Sequence, residues 1–461
     1  MHRELDGAVE ALRGDIIETL QKWIRIPSEK LPPEPGAPFG APLREMLTMA
    51  LADAKRLGFA TRDFDGYIGD VEMGQGDETM GILAHLDVVP AGDGWTVDPF
   101  GGEIIEGKLY GRGTSDDKGP AVAAMFAMKA VLDAGFVPKK KVRLILGCDE
   151  ESGWDDIRHY QKHVAMPDFG FSPDAVYPVI NTEKGIEQIR LTASFGGEEG
   201  AKIPVYSISS GERANVIPGQ AVAEIGCEDI AALEEALIET GLDVRAEKLA
   251  GGRVKLISTG VTGHASMPQH GRNAAGQLLL ALKAIGAGGG CQAFINCLAD
   301  GIGLDSTGKG LGVDGSDTIS GPLTLNLGVL CVENGEGMAL LDIRHPVLMN
   351  AEMIVKIIGI RVKEAGLKTS IVTMKAPLHV PAESEIVRSL LAVYAEVTGN
   401  EAYTISIGGG TYSRSMDNCV AFGCTFPGDP DLAHQAGEHF DLDKLLLNVR
   451  VFAHTIVRLA C

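Results

Sequence analysis

Several segment types are missing from this sequence of 461 residues, and each absence removes a class of protein. No run of about 18 apolar residues occurs, so a membrane-spanning helix is not expected. The eight cysteines contain no C-x-x-C pair and are sparse for the length, which predicts reduced thiols rather than a disulfide framework or a thiolate metal site. The first thirty residues carry acids through an amphipathic pattern. They lack an apolar core followed by a small-residue cleavage site, so no secretory signal is expected and a cytoplasmic location is. Basic residues are also short: 41 Lys plus Arg against 62 Asp plus Glu leave a formal charge of −21. A surface this acidic repels phosphate backbones and anionic lipid, which disfavours nucleic-acid and membrane partners. The 59 glycines follow no Gly-X-Y period, so they indicate many turns and not a fibrous or low-complexity chain.

What is present is an ordinary globular composition, 45% hydrophobic, in a chain about three times a typical domain of ~150 residues. Polar and apolar residues alternate at helical spacing from Glu4 to Ile26. Short apolar runs at 81–86 and 142–148 have strand length, and 175–180 is a third candidate weakened by its proline. Between the first two, Ala121, Met125, Met128 and Leu132 mark a helix over 120–134 that stops at Gly135. Strand, helix, strand predicts an α/β domain with a central, mostly parallel sheet and flanking helices.

Beyond Gly185 the rhythm changes. Strands are expected at 188–194, 220–227, 253–258, 322–332 and 338–343, and helices at 230–240 and 273–285. The α/β rhythm returns with a helix at 384–398, a strand at 402–407 and a helix at 442–459. The expected organisation is therefore one discontinuous domain, 1–185 and 381–461, interrupted by an inserted α+β lid domain at 186–380.

Chemistry-bearing residues fall where the predicted strands run out. His85-Leu86-Asp87 ends the first strand, where ligands of an open parallel sheet collect. Alone it is equally a loop histidine beside a solvated acid. Asp116 and Asp117 precede the helix at 120, and there one of them could be a dipole-compensating cap. The surrounding glycines suggest a phosphate loop, but no G-K-[ST] follows. Asp149-Glu150-Glu151 follows the second strand directly, and three consecutive acids are costly to crowd together without a cation or water. Asp174 lies at another strand edge, and His434 sits in a loop before the last helix. Two His and several carboxylates suit Zn²⁺ or Mn²⁺. They are too many for one tetrahedral ion; two ions sharing a carboxylate would use them and leave one Glu as general base.

His85-Leu-Asp-Val-Val-Pro90, Gly-Trp95-Thr-Val-Asp-Pro-Phe100, Leu-Tyr-Gly-Arg-Gly-Thr-Ser-Asp116-Asp-Lys-Gly, Asp-Glu150-Glu151-Ser-Gly and Phe-Ser-Pro-Asp174-Ala occur in a characteristic order. In this the chain resembles the co-catalytic metallopeptidase family of aminoacylases, glutamate-releasing carboxypeptidases and carnosinase-type dipeptidases, and most closely its dipeptidase V-like members. The resemblance implies that His85 and Asp174 hold one ion, Glu151 and His434 the other, and that Asp116 bridges them across a cis Asp116–Asp117 peptide. It implies that Glu150 is the general base acting on a water, with Asp87 orienting His85. In the insert it assigns His264 to the scissile carbonyl and Asn215 and Arg344 to the substrate. The loop Gly408-Gly-Gly-Thr411, locally just a flexible turn, would receive the substrate carboxylate through Gly410 and Thr411. The free amine would meet Asp116, and fixing both termini would restrict cleavage to dipeptides. Related expectations are a metal-dependent dipeptidase, with N-acyl amino-acid deacylase, carboxypeptidase or a catalytically silent binding protein as alternatives. The long insert implies a monomer.

Overall fold

The computed structural model describes residues 2–196 and 201–461. It divides into two compact units. The first comprises Met1–Asn181, His379–Ile405 and Gly410–Cys461; the second comprises Thr182–Leu378 and Ser406–Gly409.

The first unit is built on a sheet whose strands run in the spatial order Ala60–Phe64, Ile68–Met73, Lys141–Gly147, Thr79–His85, Phe169–Ser172, Cys419–Ala421 and Val179–Glu183. The four strands from Lys141–Gly147 to Cys419–Ala421 are mutually parallel. Antiparallel strands flank them on both sides. Every residue of Thr79–His85 is buried, as expected of a central strand covered on both faces. The helix Lys118–Asp133 is buried along most of its length and packs on this sheet and on the C-terminal helix Leu442–Ala460. Its alanines and glycine permit that close approach.

Three local readings change. The N-terminal stretch is two helices, Arg3–Ala11 and Arg13–Ile24, with a turn at Leu12. Val9 and Ile16 are seven residues apart, so the apolar stripe continues across the break and hides it from periodicity. The run at 175–180 splits into Ala175–Val176 and Val179–Glu183 around a cis Tyr177–Pro178 bond. The hairpin Ala60–Phe64/Ile68–Met73 and the helix Ala41–Arg56 were not anticipated. In the hairpin turn Asp65 and Gly66 both have positive φ, 56° and 77°, the conformation that favours Asp-Gly.

The second unit carries an eight-stranded sheet in the order Val244–Lys248, Arg253–Thr259, Gln220–Gly226, Val205–Ser210, Thr324–Glu333, Glu336–His345, Gly185–Ser194 and Lys368–Lys375. All its described pairings are antiparallel. The helices Ala274–Ala284 and Ala351–Lys363 cover it, burying Leu278, Leu282, Ile354 and Ile358 with Leu325, Leu327 and Leu341. Asn273 caps the first of these helices by accepting from Gly276 N at 3.0 Å.

Candidate metal centre

In the first unit the parallel register aligns the strand ends. His85 stands opposite Gly147, and Leu86 N–H donates to the Gly147 carbonyl at 2.9 Å. This brings His85 and Asp87 beside Glu150 and Glu151. Asp174 follows the next parallel strand, Phe169–Ser172. Asp116 lies just before the helix Lys118–Asp133, and the Asp116–Asp117 peptide is cis. His434 lies in a loop at φ 63°.

The side chains converge closely. His85 Nε2 is 3.0 Å from Asp116 Oδ1 and 3.8 Å from Asp174 Oδ2. His434 Nε2 is 3.0 Å from Asp116 Oδ2 and 2.8 Å from Glu151 Oε1. Asp116 therefore turns one oxygen to each imidazole. Ligand atoms of His85, Glu150 and Asp174, and likewise of His85, Asp116 and Glu151, lie within 4.8 Å of one another. A cavity lined by Ser115, Asp116, Asp174, Cys424 and Thr425 reaches the cluster.

Asp87 sits behind these groups, almost fully buried. Its two carboxylate oxygens accept from the backbone N–H of Glu150 (3.2 Å) and Glu151 (3.0 Å), while its carbonyl is 2.9 Å from His85 Nδ1. One residue thus fixes the turn that presents both glutamates and leaves His85 Nε2 facing the cluster.

The electrostatics describe a cluster with too much negative charge for its burial. Burial, with Asp174 nearby, pushes Glu150 well above the carboxylate range. Burial and Asp116 push Asp174 up to about 7, and the same two causes raise Glu151. Burial alone would raise Asp116, yet hydrogen bonds from His434 and His85 hold it far below its usual value. His434 is raised to about 11, its partial burial outweighed by bonds to Asp116 and Glu151. The cluster offers imidazole nitrogen and carboxylate oxygen only, a donor set that fits Zn²⁺ or Mn²⁺.

Several supporting residues were not assigned from the sequence. Glu438, fully buried, accepts from the N–H groups of Gly113 (3.1 Å), Ser115 (2.9 Å) and Asp116 (3.2 Å), and from Arg112 Nη1 at 2.6 Å. Arg112 also donates to the carbonyls of Gln435 and Ala91. The pair ties the loop carrying Asp116 to the loop carrying His434. Asp156 Oδ2 accepts from Cys148 N at 2.7 Å, Asp149 N at 3.0 Å and the Tyr412 hydroxyl, bracing the turn before Glu150. No motif marks either carboxylate, because its partners are backbone groups or lie hundreds of residues away.

Thr411, buried in the first unit, caps the short turn Tyr412–Ser415 by accepting from Ser413 N at 3.2 Å. Gly410 is exposed and packs so closely on Arg414 that a Cβ would stand 2.6 Å from its Nε.

The other three sequence candidates belong to the second unit. His264 pairs with Val216 in a short antiparallel ladder, and Ala265 N donates to the Asn215 carbonyl at 2.9 Å. His264 Nδ1 is 2.7 Å from Ser266 Oγ. Asn326, another residue the sequence did not single out, donates its amide to the carbonyls of Ala214 and Val216 and so pins both flanks of Asn215. Arg344 is buried, held by Asp342 through Nε and Nη2 at 2.5 and 3.0 Å, and donates Nη1 to the Gly408 carbonyl at 2.8 Å.

Imidazoles and carboxylates gathered at the carboxyl edge of a parallel sheet define a metal-dependent hydrolase. Comparison with known proteins gives the family: the chain belongs to peptidase family M20/M25/M40, whose family model matches residues 81–458. The putative dipeptidase YtjP of Bacillus subtilis (strain 168) is 39% identical, the match covering 99% of this chain and 100% of that protein. The Beta-Ala-Xaa dipeptidase of Lactobacillus delbrueckii subsp. lactis is 36% identical over 98% and 97% of the two chains. In fold, the chain is similar to human carnosine dipeptidase 1, with a TM-score of 0.62 at 16% identity, covering 99% and 98%. It is also similar to the aminoacylhistidine dipeptidase of Vibrio alginolyticus, with a TM-score of 0.59 at 17% identity over 96% of each chain.

Proposed function

We propose that the protein is a dipeptidase acting on unblocked dipeptides, using two divalent ions, zinc or manganese. The observation that carries this reading is Asp116 turned toward His85 on one side and His434 on the other, with Glu150 in the same donor cluster. The two dipeptidase relatives, similar over nearly their whole lengths, support the substrate class.

His85 and Asp174 would hold one ion, Glu151 and His434 the second, with Asp116 shared. The ions would supply Lewis acidity to a nucleophilic water and to the scissile carbonyl. Glu150 takes the proton from that water and delivers it to the leaving amine nitrogen. Burial and the neighbouring Asp174 raise Glu150 above the carboxylate range, the direction that strengthens a carboxylate as a base. Asp87 holds the Glu150–Glu151 turn and the His85 ring during the reaction. His264 is assigned to the developing oxyanion, Asn215 and Arg344 to the substrate, Gly410 and Thr411 N–H groups to its carboxylate, and Asp116 to its free amine. Arg344 has N–H groups to spare for this beyond those given to Asp342 and Gly408.

We assign catalysis to the first unit and a lid role to the second, in a monomer. The eight cysteines form no disulfide, which suits the cytoplasm. The deciding experiment reconstitutes the protein with Zn²⁺ or Mn²⁺ and compares a dipeptide, its N-acetylated form and a tripeptide. Rapid cleavage of the free dipeptide alone is expected. Preference for the acetylated form would mean a deacylase, and equal cleavage of the tripeptide a carboxypeptidase.

A further inference from the structure

A second group of metal-ligating side chains lies in the first unit, and no residue of the candidate centre takes part in it. Asp65 sits in the hairpin turn at φ 56°. Its Oδ2 is 3.0 Å from His159 Nε2. His159 belongs to the helix Asp155–Tyr160, and His163 follows four residues later, its ring centroid 4.5 Å from that of His159. One ligand atom from each of the three residues falls within 4.8 Å of the others.

The rings are held in place before any ion arrives. His159 stacks on Tyr67 at 4.2 Å and 10° between planes. His163 Nδ1 is 2.9 Å from the His159 carbonyl. A carbonyl only accepts, so Nδ1 carries the hydrogen and Nε2 keeps its lone pair outward, the tautomer a metal ligand needs. His163 N–H also donates to the Tyr160 carbonyl at 2.9 Å, fixing the backbone beneath the ring. Ligands about 2.1 Å from a tetrahedral ion stand about 3.4 Å apart. Rotation of the exposed Asp65 side chain, with a small shift of the His163 ring that keeps its Nδ1 hydrogen bond, closes the remaining gap.

From this geometry we infer a further metal site, formed by Asp65, His159 and His163, that takes a first-row divalent ion of the Zn²⁺, Ni²⁺ or Cu²⁺ kind. Two imidazoles and one carboxylate select these ions over Mg²⁺ and Ca²⁺, which prefer all-oxygen shells. Three protein ligands leave a position for water. The ion clips the hairpin turn to the helix that begins just after Glu151, independently of which reaction the candidate centre performs.

The test compares the full-length protein with the variant His159→Gln/His163→Gln, each dialysed against Zn²⁺ alone and measured for bound metal. One equivalent less zinc per chain is expected in the variant, with an unchanged hydrolysis rate. The difference between the two proteins is the readout, so it holds whatever number of ions the candidate centre binds. If the double variant folds poorly, Asp65→Asn keeps a residue that tolerates the turn, and its zinc uptake should shift to higher concentration. Cu²⁺ bound to the wild type should show nitrogen couplings from two imidazoles in its electron paramagnetic resonance spectrum. Equal zinc uptake by wild type and double variant, or by wild type and Asp65→Asn, would overturn the site.

Discussion

Glu438→Ala tests whether a residue that touches the candidate ligands only through the Asp116 backbone N–H nevertheless governs the metal centre. The substitution removes the acceptor for three backbone N–H groups, among them that of Asp116, and for Arg112. Arg112 is 2% exposed, so its charge stays buried with two carbonyls and the Trp95 ring but no carboxylate. Removing one member of a buried pair costs about 3–5 kcal/mol. For a folding unit of this size each kcal/mol lowers Tm by about 2 °C, so a drop of about 6–10 °C is expected. With the Asp116 and His434 loops no longer tied, metal affinity should fall about 10–100-fold, as when other groups that orient ligands are removed. Thermal melts with and without Zn²⁺, together with metal analysis after dialysis, measure both effects. Adding Arg112→Met should recover part of the lost stability but not the metal affinity, because the stranded charge is gone while the loop N–H groups remain unpaired. A Glu438→Ala protein that melts within about 1 °C of wild type and retains full metal would refute the reasoning.

Other substitutions probe neighbouring parts of the site. Glu150→Gln should abolish dipeptide hydrolysis while leaving metal content intact; near-wild-type turnover would remove Glu150 as the base. Burial raises Asp156 to about 7, and an acid raised in the folded state favours folding below about pH 4 and loses that contribution as pH rises through 7. Asp156→Asn should flatten the stability profile across that window, removing a swing of about 4 kcal/mol; parallel melting curves from pH 4 to 8 would contradict this. A Cβ at Gly147 would overlap the Tyr412 ring and hydroxyl. Gly147→Ala should therefore cost about 1–3 kcal/mol by overpacking and slow hydrolysis by displacing the glutamate turn, which denaturant melts and steady-state rates would show.

The legible parts of this protein were those written in short stretches of chain. Thr79–His85 and Lys141–Gly147 are short, mostly apolar stretches that end at histidine or acids, the imprint of a buried parallel strand with polar groups at its end. The members of the candidate cluster stood out as residue types where predicted strands run out, and an ordered set of motifs linked them. The bracing residues were not visible. Glu438 works through Arg112, 326 positions away, and Asn326 acts on carbonyls 110 and 112 positions away. Such bonds have no local period. The break at Leu12 was hidden for a different reason, since the stripe Leu5, Val9, Ile16, Leu20 stays in phase through it.

The interleaving of the first unit has a consequence for the order in which the molecule can be made. The strand Cys419–Ala421 lies inside the sheet, between Phe169–Ser172 and Val179–Glu183, and the helix Leu442–Ala460 packs against Arg3–Ala11 and Lys118–Asp133. His434 and Glu438 also belong to this late segment. At about 5–20 residues per second, a ribosome needs about 20–90 s to deliver the whole chain. For about half of that time the first 181 residues wait with a gap in their sheet, until Cys419–Ala421 has been made. A polypeptide truncated before residue 434 carries neither the second imidazole of the cluster nor Glu438, the carboxylate that ties its loop to that of Asp116.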